Sequence, residues 1–138
     1  MGLFRSPAEP SGVPSTDAVP PTEGTSVIVG SDSELRTLLR GLLRLRRFQI
    51  AGESDGGAPA EELLDRVRPN LLVIDAGASG DRAGPLVQWS RSHLPRTRIV
   101  LIGSWPPTPN VPQRPDAVVA RPFRIKEFEA AVDPARAG

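Results

Sequence analysis

A short apolar run that ends in an aspartate limits the folds that this chain can adopt. The four residues 71–74, Leu-Leu-Val-Ile, precede Asp75, and a loop of small residues follows. Four apolar residues are too few for a helix, but they suit a strand buried on both faces, as in a parallel sheet. Because open α/β sheets place their ligands at the carboxyl ends of strands, Asp75 is a candidate site residue. A turn or helix-capping role is the competing interpretation.

Similar apolar runs recur along the chain and alternate with helical patterns. They predict further strands at 26–29, 48–52, 98–102 and 117–120. The predicted helices include one starting at about Pro85, and Asp32 or Ser31 is expected to cap the first of them. Apolar faces are predicted for the first helix (Leu35, Leu38, Leu39, Leu42) and for the closing helix (Ile125, Phe128, Val132). Strands that alternate with helices favour a doubly wound, five-stranded parallel sheet.

Composition divides the chain into three parts. Residues 1–24 are rich in proline and serine and predict a disordered leader, residues 25–133 form the domain, and residues 134–138 are expected to be a flexible tail. Between the fourth and fifth strands, five prolines exclude a regular helix: Pro106, Pro107, Pro109, Pro112 and Pro115.

Charge and residue usage exclude several function classes. Seventeen basic and sixteen acidic side chains give a net charge of +1, which favours neither nucleic acid nor membrane as a partner. The chain has no cysteine and one histidine, so disulfides, thiolate chemistry and a histidine metal cluster are excluded. With no apolar run of ~20 residues and no signal-peptide core, we expect a cytoplasmic protein. Nucleotide-binding and hydrolase motifs are missing, so no enzyme is expected.

Three short motifs, in the predicted order of elements, resemble the receiver domain of response regulators, the module that histidine kinases phosphorylate. They are residues 69–75, ending in Asp75; residues 121–123, Arg-Pro-Phe; and residues 27–29, which lead into a polar turn. The resemblance covers roughly residues 25–133. It implies a flavodoxin-like architecture with Asp75 as the phospho-acceptor.

The sequence departs from this family at the residues that surround the acceptor. Where the resemblance implies two adjacent carboxylates, the chain has Gly30 and Ser31, and Asp32 comes one place late. Asp32 and Asp75 alone should bind Mg²⁺ poorly, because this ion requires a strict octahedron of oxygen ligands.

The remaining pocket positions also depart from the family. Gly103 stands at the switch hydroxyl position, with Ser104 one residue away, and Arg121 replaces a lysine. The resemblance implies a fourth helix that is here lost or irregular. We expect Arg121 to pair with an ionised Asp75 and to replace part of the missing positive charge.

These features predict an atypical receiver-like signalling or adaptor module that acts by protein–protein contact, with impaired or absent Mg-dependent phosphorylation. The alternative is a phosphorylatable stand-alone response regulator that uses Asp75. No cofactor is expected, and Mg²⁺ is expected only if the protein is competent for phosphorylation. The expected partner is a histidine kinase or a downstream signalling protein, and a homodimer remains open. Candidate contact residues are Trp105, Phe123 and the arginines of the first helix, Arg36, Arg40 and Arg44.

Overall fold

A computed structural model describes residues 24–76, 80–105 and 114–135, and the side chains of residues 80–82 lie outside that description. Strands and helices alternate along most of the chain, and two strands follow one another before the last helix. They are β1 (Gly24–Val29), α1 (Ser33–Leu45), β2 (Phe48–Ser54), α2 (Ala58–Val67), β3 (Leu71–Asp75), α3 (Gly80–His93), β4 (Arg98–Ile102), β5 (Ala117–Val119) and α4 (Ile125–Val132). A 3-10 turn at Asp133–Ala135 follows α4.

The five strands form one parallel sheet in the order β2-β1-β3-β4-β5, as the sequence predicts. The chain moves outward from β1 to β2 and then crosses to β3 on the other side of β1. The topological switch point therefore lies between β1 and β3. In open α/β sheets the ligand crevice forms outside the carboxyl ends of the strands at this point. Asp75 ends β3 there, beside the residues that follow β1.

Apolar cores cover both faces of the sheet. On one face, α1 and α4 pack Leu39, Leu43 and Phe128 against the sheet. On the other face, α2 and α3 contribute Leu64 and Val87. Successive residues of the central strands point to opposite faces, so both faces of β1, β3 and β4 are buried and the strands read as continuous apolar runs.

Several predicted details are wrong. The helix α3 begins at Gly80 instead of near Pro85, and Pro85 lies inside it. The glycine-rich residues before Pro85 carry no apolar periodicity, so no sequence pattern predicted the first turn of this helix. Leu38 and Ile125 are exposed, at 49% and 54%, although their spacing placed them on the buried faces. In α1 the buried position is taken instead by Leu43.

Strand β2 continues to Ser54 and contains a bulge that the sequence did not reveal. Ser26 pairs with Ile50 but Val27 pairs with Gly52, which leaves Ala51 as an extra residue in β2. A bulge of this kind shifts the alternation of side chains between the two faces of a sheet. As a result, Glu53 projects towards α1 and pairs with its arginines.

The predicted boundaries differ by a few residues from the observed ones. Gly24, assigned to the leader, is the first residue of β1, and the rest of the leader lies outside the described residues. Pro134 and Ala135, assigned to the tail, belong to the 3-10 turn. Four helices flank the sheet in the part of the chain that the structure describes, which fits a lost or irregular fourth helix, and residues 106–113 lie outside it.

Candidate functional site

A cavity of about 150 Å³ opens at the carboxyl ends of β1, β2 and β3. Gly30, Ser31 and Asp75 line it, together with the turn formed by residues 55–57 after β2. The side chain of Asp75 is only 4% exposed. The cavity therefore brings the predicted acceptor and two of the predicted pocket residues together at the switch point of the sheet.

Gly30 lies against the side chain of Asp75. A Cβ atom built on Gly30 would be 2.6 Å from the Cβ atom of Asp75. Real Cβ contacts are essentially never this short, so any side chain at position 30 requires the backbone to move. The resemblance implies a carboxylate at this position, and the observed backbone leaves no space for one.

Arg121 supplies the positive charge nearest to Asp75 among the described residues. Its Nη1 atom is 3.5 Å from Oδ1 of Asp75, and its Nη2 atom is 4.0 Å from Oδ2 of Asp32. The expected pair of Arg121 with Asp75 is therefore present. Arg121 itself is 42% exposed, so a buried carboxylate faces a cation that is partly in solvent.

Asp32 is engaged as the N-cap of α1, one of the two capping residues the sequence predicted. Its Oδ1 atom accepts hydrogen bonds from the backbone N–H groups of Glu34 at 3.0 Å and Leu35 at 3.1 Å. These bonds satisfy two of the donors that a helix N-terminus leaves unpaired. Asp32 is one of the two candidate metal ligands. One of its carboxylate oxygens caps α1, and the other lies beside Arg121.

The side-chain donors that the described residues place around Asp75 do not fit Mg²⁺. The ion prefers carboxylate, carbonyl and water oxygens in near-ideal octahedral geometry. Here Arg121 lies near both Asp32 and Asp75, and the described residues contain no group of three or more His, Cys, Asp or Glu that would hold a metal. We therefore derive no step through this ion.

Gly103 and Ser104 occupy the carboxyl end of β4, the next strand along. The N–H of Gly103 donates to the carbonyl of Val119 at 2.9 Å, which ties the end of β4 to β5. The φ angle of Gly103 is +132°, a conformation that favours glycine over any residue with a hydroxyl side chain. Ser104 is exposed. The hydroxyl that the resemblance implies is thus missing from position 103 for a backbone reason as well.

Sequence reasoning missed the residues that connect the two loops of the cavity. The Nη1 atom of Arg36 donates to the carbonyl of Gly30 at 2.5 Å and to Oδ1 of Asp55 at 2.8 Å. Arg36 therefore links the loop after β1 to the loop after β2. The only signal in the sequence was Asp55, a charged residue beside two glycines directly after β2.

The arginines of α1 do not form an unpaired stripe. Arg40 donates to both carboxylate oxygens of Glu53, at 2.5 and 3.0 Å, and Arg36 lies 3.4 Å from the same carboxylate. These contacts lower the pKa of Glu53, mainly through its hydrogen bond with Arg40. Arg44 is exposed. Of the three contact candidates on α1, Arg36 and Arg40 thus have intramolecular partners.

The two aromatic contact candidates pack on opposite faces of the sheet. Phe123 packs against the core beneath α1 and α4, with its ring centroid 5.9 Å from that of Phe128. Trp105 packs against the core beneath α2 and α3. Its indole nitrogen is buried without a hydrogen-bond partner among the residues that the structure describes. Both rings are partly exposed, which leaves their predicted contact role untested.

Comparison of the structure with solved structures identifies the fold. The signal receiver domain of the putative response regulator NarL from Mycobacterium tuberculosis is 26% identical, with 83% of this chain and 98% of that chain covered and a TM-score of 0.65. The pseudo-receiver domain of CikA is 16% identical, with 81% and 96% covered and a TM-score of 0.63. No family model and no curated protein matches the sequence.

A mutant of the anti-anti-sigma factor PhyR from Bartonella quintana is 14% identical, with 84% of this chain covered and a TM-score of 0.67. The chain spans about half of that protein, 49% of its length. Together these neighbours show that the chain has the α/β fold of a response-regulator receiver domain. No helix among the described residues has the length and apolarity needed to cross a membrane.

Proposed function

We propose that this chain is an atypical receiver-like signalling or adaptor module that acts through protein–protein contact, with Mg-dependent phosphorylation at Asp75 impaired or absent. The observation that carries this proposal is the position of Arg121, whose guanidinium lies 3.5 Å from the buried carboxylate of Asp75. The guanidinium supplies positive charge where the resemblance implies a metal ion.

The chemistry of phosphoryl transfer supports this assignment. Transfer depends on positioning and on neutralising the charge that develops on the phosphoryl oxygens. Gly30 offers no side chain, Gly103 offers no hydroxyl, and Asp32 is engaged at the start of α1. Two positions thus have no side chain to assist transfer and a third group is engaged elsewhere, and we propose that the pair of Arg121 with Asp75 holds one conformation without a phosphate.

The proposed partner is another protein, either a histidine kinase or a downstream signalling protein. The net charge of +1 gives no support for nucleic acid. We propose that the module acts in the cytoplasm and is not an enzyme. The exposed parts of Trp105 and Phe123 and the exposed Arg44 remain the proposed contact residues.

Incubation with acetyl phosphate and Mg²⁺, followed by intact-mass measurement, tests the proposal. We expect no phosphoryl adduct in the wild-type protein, and Asp75→Asn is the matched control for any modification elsewhere. A stoichiometric adduct that disappears in Asp75→Asn would contradict the proposal. It would instead support a phosphorylatable response regulator, a function favoured by the cavity of about 150 Å³ beside Asp75.

A further inference from the structure

A second cavity lies at the opposite edge of the sheet, where β3 and β4 begin. It has a volume of about 390 Å³. Pro69, Leu94 and Thr97 are buried and line its floor, while Asn70 and Arg96 are exposed on its rim. We call this cavity the lower groove. Because it is far along the strands from Asp75, the proposed phosphorylation defect does not explain it.

The lower groove carries positive charge. Arg68 and Arg96 both line it. Arg68 is paired with Asp65, at 2.9 Å between Nη2 and Oδ1, and both side chains are about 60% exposed. Arg96 forms no ion pair with any residue that the structure describes and is exposed. An acidic segment is therefore the occupant that the charges of this groove favour.

The chain enters the domain at the rim of the lower groove. The N–H of Thr25 donates to Oδ1 of Asn70 at 2.8 Å. A Cβ atom on Gly24 would be 2.8 Å from the same oxygen, so the backbone of Gly24 lies directly against Asn70. Gly24, the first residue that the structure describes, therefore lies beside a residue that lines the groove.

The preceding segment, residues 6–23, has the complementary charge. It contains Glu9, Asp17 and Glu23 but no lysine or arginine. It also carries apolar side chains that suit a floor of proline and leucine: Pro7, Pro10, Val13, Pro14, Val19, Pro20 and Pro21.

We propose that residues 6–23 bind in the lower groove of their own domain, with Glu23 directed at Arg68, which precedes β3, and Asp17 directed at Arg96, which precedes β4. Neighbouring strands are about 4.8 Å apart, so β1 and β4 are separated by about 10 Å across β3. Three extended residues span that distance, at about 3.3–3.6 Å each. A short tether gives an effective concentration in the millimolar range, so a weak contact is sufficient. The proposal gives the leader, expected from its composition to be disordered, a docking site.

Backbone NMR on the full chain tests this inference, with the {¹H}-¹⁵N NOE of residues 15–19, 22 and 23 as the readout. We expect NOE values above those of a free peptide in the wild type and a loss of this difference in Arg96→Glu. The matched control is Arg66→Glu, an exposed arginine of α2 outside the groove. Since exposed ion pairs are screened, 0.5 M salt should reduce the wild-type values as well.

A charge reversal completes the test. Asp17→Arg combined with Arg96→Glu should restore the NOE values that Arg96→Glu loses. The inference is overturned if the wild-type segment already has free-peptide values, if Arg66→Glu has the same effect as Arg96→Glu, or if the contact appears only at high protein concentration. None of these outcomes affects the acetyl phosphate experiment, so the two proposals fail separately.

Discussion

Two arginine–carboxylate pairs near the carboxyl end of the sheet differ in which partner is buried. In the site, the carboxylate of Asp75 is 4% exposed and Arg121 is 42% exposed, with 3.5 Å between the closest charged atoms. On β2, Glu53 is 21% exposed and Arg40 is 34% exposed, and two hydrogen bonds join them. The first pair has one contact with a solvent-exposed cation, whereas the second is bidentate.

The two pairs therefore act in different ways. A bidentate pair fixes the relative position of two elements, here α1 and β2, and has the geometry of a structural clamp. In the site, Arg121 is partly exposed to solvent, whereas the carboxylate of Asp75 is buried in the protein. Loss of Arg121 would therefore remove an ion pair from a buried carboxylate, while loss of Arg40 would leave Glu53 close to solvent and still near Arg36.

The largest change in stability is expected from adding a side chain at Gly30, which lies against Asp75. Gly30→Ala places a Cβ atom 2.6 Å from Cβ of Asp75, and overpacking of this kind costs about 1–3 kcal/mol. The matched control is Gly41→Ala in α1, where a Cβ atom would meet nothing within 4 Å. Removing a helical glycine there should stabilise the protein by up to about 1 kcal/mol. Urea unfolding measures the free energy of unfolding of both variants, which should fall in Gly30→Ala and rise in Gly41→Ala.

If Gly30→Ala were as stable as the wild type, the backbone after β1 would be able to move away from Asp75. Position 30 would then tolerate a carboxylate, and Gly30→Asp would become a way to rebuild an acidic pocket. The surroundings of Asp75 would then not be rigid, and its pair with Arg121 would not differ in this respect from the pair of Arg40 with Glu53.

Removal of the cation from the site should have the next largest effect. We expect Arg121→Ala to lower the free energy of unfolding by about 1–2 kcal/mol, since the buried carboxylate of Asp75 loses its ion pair with this arginine. In an Asp75→Asn background the same substitution should cost almost nothing. Arg66→Ala, on the exposed side of α2, controls for the loss of an arginine as such. Equal stability of Arg121→Ala and the wild type would show that the pair of Arg121 with Asp75 does not stabilise the folded protein.

The two pairs also differ in how far the sequence reveals them. Asp75 ends an apolar run and Arg121 follows the last strand, so parallel strand order alone brings them to one edge of the sheet. The pair of Arg40 with Glu53 depends on the bulge at Ala51, which shifts Glu53 to the side of α1. A one-residue bulge leaves no compositional signal in a short strand, and this contact was therefore missed.

The same contrast holds for the rest of the fold. Strands β1, β3 and β4 are buried on both faces, and their apolar runs predicted them well. Leu38 has helical spacing but lies at the margin of the buried face of α1, where spacing alone does not separate buried from exposed positions. In the site, the enclosure of Gly30 by Asp75 depends on a backbone distance between β1 and β3, and no sequence pattern encodes such a distance.

The smallest effect is expected at the pair on β2, and it depends on pH. Arg40 lowers the pKa of Glu53 in the folded protein, so the unfolded state takes up the proton first as the pH falls. The stabilisation is therefore complete above the pKa of the unfolded glutamate and is lost as the pH falls through the lower pKa of the folded one. We expect Glu53→Gln to cost less than about 1 kcal/mol at pH 7, because the pair is partly exposed and screened by solvent. Urea unfolding at pH 7 and pH 3 should show a smaller difference between the variant and the wild type at the lower pH, and a constant difference would mean that Glu53 does not act through its charge.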